Sequence, residues 1–201
     1  MRTFVFYSEK AKTTGKIKDD LMQSGRMDIV IHSIIATFFL SHKLRKDVEM
    51  HLVFDGPPNP PQHLIFRFNE ETPISKKDVA GLISKMLYKS EKGKIKEIFP
   101  GCFIEKKHFE AVISELKEKN KKIFLLDLDG EKMENLKEDE INNSVFILGD
   151  DDGIPKSKLK TIKHMIDKKI SIGPEMYFSS QTIIILNNFL DKYLNNVCCC
   201  R

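Results

Sequence analysis

Apolar residues recur along this chain with two periods, and the alternation between them outlines strands and helices in turn. Residues 2–7 (RTFVFY) form a short, β-branched and aromatic run that predicts a first strand. The pattern lapses over residues 8–24, a polar loop carrying Thr13-Thr14-Gly15 and long enough to serve a function. Residues 28–42 predict a helix capped by Asp28, because Ile31, Ile34, Ile35, Phe38 and Phe39 recur every three to four positions. His32 sits near that stripe and reads as a packed histidine. Residues 49–54 and 63–68 predict two strands. Residues 75–89 predict a helix capped by Ser75, with Val79, Leu82, Ile83, Met86 and Leu87 inward. A basic connector leads to a short strand at 102–104. Residues 107–120 predict a helix burying Phe109, Val112, Ile113 and Leu116, and strands follow at 122–127 and 144–148, separated by an acidic helix or loop. A short helix at 156–163 and a strand at 166–172 complete the sequence before its most distinctive stretch.

That stretch, residues 169–193, runs a strand into Gly173-Pro174 and then into a long apolar helix. Ser179 or Ser180 is placed to cap this helix. Gly173 allows a turn that a side chain would obstruct, and Pro174 withdraws a ladder donor. Alone, such a turn is an ordinary connection from strand to helix. Two similar glycine turns precede it, in 126–130 (LDLDG) and 148–153 (LGDDDG). Strands alternating with helices predict an α/β fold with a mostly parallel sheet flanked by helices. Ligands gather at the carboxyl ends of such strands, where all three turns fall.

The loop DGPPNPPQ adds a candidate for chemistry. Pro57, Pro58, Pro60 and Pro61 stiffen it and deny it sheet pairing. Asp55 stands at its root, either as a rigidly mounted functional carboxylate or as a cap on its own turn.

Composition narrows the class without naming a reaction. The chain has 201 residues, 41% hydrophobic and 31% charged, enough for one good core. No apolar run approaches the roughly 20 residues of a membrane span, and the opening segment lacks signal-peptide features, so a cytoplasmic protein is expected. The net charge is +4, with lysines clustered in 76–96, 106–122 and 156–169. Such clusters suit a phosphate backbone or simply a solvated helix face. The cysteines, Cys102 and the run Cys198-Cys199-Cys200, have neither the spacing of a structural zinc site nor that of a disulfide framework. No metal is expected; in the run Asp150-Asp151-Asp152, Asp151 and Asp152 read as facing solvent.

Taken together, VFDGPPNPP, LLDLDG, ILGDDDGIP and SIGPEMYFSSQTIIILNNFLD resemble the SPOUT class of methyltransferases. Within that class they resemble the archaeal tRNA pseudouridine-54 N1-methyltransferases, over essentially the whole chain. The resemblance implies a single domain over 1–201: an N-terminal half, about 1–120, facing RNA, and a C-terminal half, about 121–201, tied in a trefoil knot around S-adenosylmethionine. It implies that Leu128, Gly149, Ser171, Ile172, Gly173 and Met176 hold the cofactor, with Cys198 returning beside the pocket. Asp55 and Cys198 become the catalytic candidates, Asp55 as acceptor of the N1 proton. The T-arm of tRNA is the implied substrate, with Arg2, Arg26, Arg45 and Arg67 as RNA contacts, arginine being suited to phosphate. A homodimer through the C-terminal helix is also implied. That helix is apolar over more than one face, through Ile183, Ile184, Ile185, Leu186, Phe189, Leu190 and Leu194. Methylation of small-subunit ribosomal RNA, and cofactor-binding RNA assembly without catalysis, remain alternatives.

Overall fold

In the computed structural model, which describes residues 1–17 and 20–194 apart from the side chain of Leu194, one sheet organises the chain. Its eight strands lie in the order β4-β5-β3-β2-β1-β7-β6-β8. These are β1 (Arg2–Ser8), β2 (Val48–Phe54), β3 (Gln62–Phe66), β4 (Lys96–Phe99), β5 (Cys102–Glu105), β6 (Lys122–Lys132), β7 (Ser144–Gly149) and β8 (Lys168–Ser171). The five strands from β2 to β8 in that order are mutually parallel, while β3, β5 and β4 continue the sheet antiparallel.

β1 lies near the middle and is buried on both faces, as its unbroken apolar run requires. Phe4 and Phe6 point into the larger core, shared with α1 (Met27–Phe38), α2 (Val79–Tyr88) and α6 (Ser179–Leu194). Val5 and Tyr7 point the other way, into a smaller core closed by α3 (Phe109–Glu118) and α5 (Lys156–Ile162). A single turn of helix, α4 (Glu138–Ile141), precedes β7. On β2 the alternation puts Val48, Met50, Leu52 and Phe54 in the larger core, and Glu49 and His51 on the opposite face.

Arg2 locks the last helix to the first strand. It is 2% exposed, and its guanidinium donates to Asn187 Oδ1 (3.0 Å), Asp191 Oδ1 (3.0 Å) and Asp47 Oδ2 (2.5 Å). The Asn187 amide in turn donates to the Ala36 carbonyl on α1 (3.1 Å).

Several elements depart from the sequence reading, each for a local reason. α1 begins one residue before Asp28 and follows Arg26, which adopts the left-handed conformation (φ 59°). Asp28 therefore sits inside the first turn, bound by Arg26, and does not cap it. The helix ends at Phe38 because Phe39 turns extended. His32 lies on its exposed side. α2 starts at Val79, since Ser75 is spent on a turn to Asp78. The basic connector contains β4, whose lysines hid its pairing with β5. β6 runs on to Lys132, through an irregularity that lets both Leu126 and Glu131 oppose Ile170 of β8.

On α6, Ile183, Leu186, Phe189 and Leu190 are buried, whereas Ile184 is 56% exposed. Among the described residues no helix is long and apolar enough to cross a membrane.

Candidate active site

Because β1, β2, β6, β7 and β8 are parallel, their carboxyl ends share one edge of the sheet. A cavity of about 280 Å³ opens at the ends of β6, β7 and β8. Leu126, Leu128, Leu148, Ile154, Leu159 and Ile172 supply apolar walls, and Asp127, Asp150, Asp152 and Glu175 supply carboxylates. Apolar walls suit a flat heteroaromatic ring, and the carboxylates suit a ligand carrying positive charge.

Bare backbone shapes this cavity. A Cβ at Gly149 would fall 2.4 Å from the Gly153 carbonyl carbon, so the 149–153 turn closes only around glycine. The Ser179 hydroxyl donates to the Gly149 carbonyl (2.8 Å), fastening the start of α6 to the end of β7. The cap assigned to Ser179 is thus redirected, and the Gln181 side chain accepts from the Phe178 amide instead (3.0 Å). The Ser171 hydroxyl donates to the Gly173 carbonyl (3.0 Å). Gly173 itself does not line the cavity. Its φ of 159° is nearly extended, and a Cβ there would stand 3.1 Å from the Tyr177 ring, which does line it. Leu128, Gly149, Ser171, Ile172 and Met176 all meet at this cavity, with Met176 80% exposed at its rim.

The acidic turn is less free than its sequence implies. Asp150 is 9% exposed, and its Oδ2 accepts from the Ser8 hydroxyl (2.7 Å). Burial holds its carboxyl above the usual carboxylate range. Asp151 pairs with Arg26 (2.6 Å) and Asp152 pairs with Lys10. Both residues remain exposed, but as ion-paired groups on the loop that brackets the cavity.

Asp55 follows β2 on the same edge. With β1 alone between β2 and β7, its strand ends roughly 9–10 Å from that of Gly149. Its amide donates to the Ser8 carbonyl (2.9 Å), extending the ladder. The rigid loop behind it is braced by residues 10–13. A Cβ at Gly56 would meet the Ala11 carbonyl oxygen at 2.3 Å, and the Thr13 hydroxyl donates to the Gly56 carbonyl (2.8 Å). The polar loop after β1 therefore buttresses Asp55. The Tyr7 hydroxyl donates to Asp55 Oδ2 (2.9 Å), and Lys158 Nζ lies 2.9 Å from the same oxygen. Burial, and then Asp55, hold the Tyr7 phenol far above its ordinary pKa, so it stays protonated. Burial opposes the charge on Lys158, but Asp55 and Glu110 outweigh it and raise its pKa. Cys198, with Cys199 and Cys200, lies outside the described residues.

The four arginines divide by edge. Arg2 opens β1, Arg45 precedes β2, and Arg67 follows the antiparallel β3, so all three sit at the amino edge. Seven strand residues separate that edge from Asp55, about 20 Å. Arg45 clasps Asp191 (2.6 Å to each oxygen) and Arg67 donates to Glu49 (2.7 Å). Arg2, expected as an RNA contact, is 2% exposed, and its two terminal nitrogens are held by Asn187, Asp191 and Asp47. Of the set, Arg26 alone stands at the carboxyl edge, joined there by Lys10, Lys106, Lys107 and Lys158. The sequence reading missed Tyr7, Asp150 and Lys158. Their alternation and charge were visible, but their convergence depends on which strands are neighbours.

A family model for SAM-dependent RNA methyltransferases matches residues 1–194. The tRNA (pseudouridine(54)-N(1))-methyltransferase of Methanococcus aeolicus is 38% identical over 200 residues, covering 96% of this chain and 98% of that protein. The proteins of the same name from Methanococcoides burtonii and Methanocaldococcus jannaschii are 37% and 33% identical, covering 97% and 96% of this chain and 98% and 97% of theirs. Among solved structures, Archaeoglobus fulgidus Nep1 bound to S-adenosylhomocysteine superposes with a TM-score of 0.64 at 13% identity, covering 96% of this chain and 98% of that one.

Proposed function

The chain belongs to the family of SAM-dependent RNA methyltransferases, and we infer that it methylates N1 of pseudouridine 54 in tRNA. The observation that carries this reading is the near end-to-end match to relatives of that name. The edge cavity agrees with it. Its apolar walls fit an adenine ring, and Asp127, Asp150, Asp152 and Glu175 complement a cationic donor. Bound S-adenosylmethionine supplies an electrophilic methyl group on a sulfonium, a ready leaving group.

The chain's own residues supply orientation and the proton acceptor. Asp55 takes the proton that N1 loses as the new carbon–nitrogen bond forms. The braced loop holds that carboxylate still, and the cavity walls hold the donor about two strands away. Phosphates of the tRNA T-arm are met at the carboxyl edge by Lys10, Lys106, Lys107 and Arg26, so affinity falls steeply with salt.

Two features of the assembly belong to the same reading. The first is a trefoil knot in the C-terminal half. After leaving β8, beyond β6, the chain returns to bind Ser179 to Gly149 at the end of β7, a path that favours threading. The second is a homodimer covering Ile184, Phe178 and Met176, which are 56%, 70% and 80% exposed. A site of action in the cytoplasm accords with a tRNA substrate.

The test is methylation of a tRNA carrying pseudouridine 54, read by mass spectrometry of the digested product. Wild-type protein should add one methyl at that residue. Asp55→Asn should lower the single-turnover rate by about 10²–10⁴-fold, with melting and RNA affinity preserved. Absence of methyl at position 54 with the wild type would overturn the assignment.

A further inference from the structure

Lys158 connects the two sides of the reaction. It projects from α5, and the next residue along that helix, Leu159, walls the donor cavity. Its ammonium lies 2.9 Å from Asp55 Oδ2, which also accepts the Tyr7 hydroxyl at 2.9 Å. The ammonium stands 5.9 Å from the centre of the Tyr7 ring, and Glu110 on α3 approaches it at 3.6 Å. Glu110 is itself held by the Thr161 hydroxyl (3.1 Å), one turn along α5. Oδ2 of Asp55 is therefore doubly bound, whereas Oδ1 has no protein partner among the described residues. The side chains of Asp55 and Lys158 are 15% and 24% exposed, well below the exposure at which a surface ion pair contributes little.

We propose that Lys158 is a positioning residue for methyl transfer, gripping Asp55 through Oδ2 so that Oδ1 is presented to the acceptor, and tying that carboxylate to the helix that walls the donor cavity. The proposal rests on the reading of Asp55 as the proton acceptor. A carboxylate with both oxygens free could rotate away from the acceptor. Clamped by one oxygen, it offers the other at a fixed distance from the donor, and small misplacements of reacting groups are expensive in rate.

The experiment is single-turnover methylation of tRNA, with donor and tRNA affinities measured alongside, for Lys158→Met, Lys158→Arg and Tyr7→Phe, each also combined with Asp55→Asn. The groups facing Asp55 are Tyr7 from β1 and Lys158 from α5, and Glu110 from α3 faces Lys158. Lys158→Met should lower the rate by about 10²-fold while leaving S-adenosylmethionine and tRNA affinities unchanged. Lys158→Arg should recover most of the rate. Tyr7→Phe, which keeps the ring against Phe109, should lower the rate by less. In the Asp55→Asn background, Lys158→Met should add almost nothing, since both act through one group. A wild-type rate with Lys158→Met, or an undiminished effect of that substitution in the Asp55→Asn background, overturns the proposal alone. Asp55→Asn at the wild-type rate overturns the reading of Asp55, and this proposal with it.

Discussion

The face of the sheet opposite α1 carries a buried polar chain whose response to acid can be worked out. His51 Nδ1 and His63 Nε2 lie 2.8 Å apart, with the rings stacked at 5.1 Å. His63 Nδ1 reaches Glu105 Oε1 at 2.9 Å, and His51 Nε2 lies 3.3 Å from Glu49 Oε1, close but without hydrogen-bond alignment. The histidines are 5% and 2% exposed. Burial depresses both, taking His63 from its ordinary 6.5 to about 4. A depressed histidine binds protons more readily unfolded than folded. Stability is therefore full above the unfolded pKa, near 6.5, and falls as pH drops towards the folded value. At about 1.4 kcal/mol for each tenfold in proton affinity, His63 alone accounts for roughly 3 kcal/mol between pH 6.5 and 4. For a chain of this size that is a fall in Tm of roughly 6–12 °C. The carboxylates act in a lower window. Although burial opposes it, His51 and Arg67 hold Glu49 at about 2, and His63 and Lys107 do the same for Glu105. Their contribution is present above 4.5 and is lost as pH falls towards 2. Calorimetric melting from pH 7.5 to 4.5 should show the first decline, and His63→Gln should flatten it while lowering the plateau. Parallel decline of wild type and variant would refute the assignment to His63. A flat wild-type profile would mean that the pair already holds a proton between the two carboxylates.

Three further outcomes test the site and its setting. Gly173→Val should press the Tyr177 ring into the cavity and weaken S-adenosylmethionine about tenfold by calorimetric titration, the transfer of a 3.1 Å contact into the ligand's space; unchanged affinity would remove Tyr177 from the donor wall. Arg2→Met should destabilise the fold by about 3 kcal/mol, because it leaves Asp47 and the buried Asn187 without their partner. Its RNA affinity should match wild type once the protein is folded, and a loss of affinity at unchanged Tm would return Arg2 to the RNA surface. Ile184→Glu should convert a dimer to monomer in sedimentation without lowering monomer stability, since Ile184 is already exposed, and a persistent dimer would put the interface elsewhere.

How much of this was legible in the sequence follows from which facts are local. The alternation on β1 and the helical stripe of α3 depend only on nearest neighbours, and Phe4, Val5, Phe109 and Val112 are buried as their spacing demands. The three glycine turns were legible for the same reason: each is a property of five or six consecutive residues. Beta4 was not, because Lys94 and Lys96 look solvated until β5 is known to lie beside them. The placement of the arginines is a fact of a higher level. Type and charge say that an arginine can hold a phosphate, but only strand direction says which edge of the sheet it occupies. Arg2 pairs with Asn187 and Asp191 across nearly the whole length of the chain, a contact no window of sequence contains. The same reasoning explains why Asp55 was a candidate in the sequence and Lys158 was not. Asp55 announces itself through the prolines beside it, whereas Lys158 is one lysine among several on a short basic helix, distinguished only by the oxygen it reaches. Convergence at a sheet edge is a consequence of strand order, here β2-β1-β7-β6-β8, and that order places Asp55 and the edge cavity two strands apart on one rigid frame. The spacing between them is set less by any single loop than by β1, the buried strand that lies between β2 and β7.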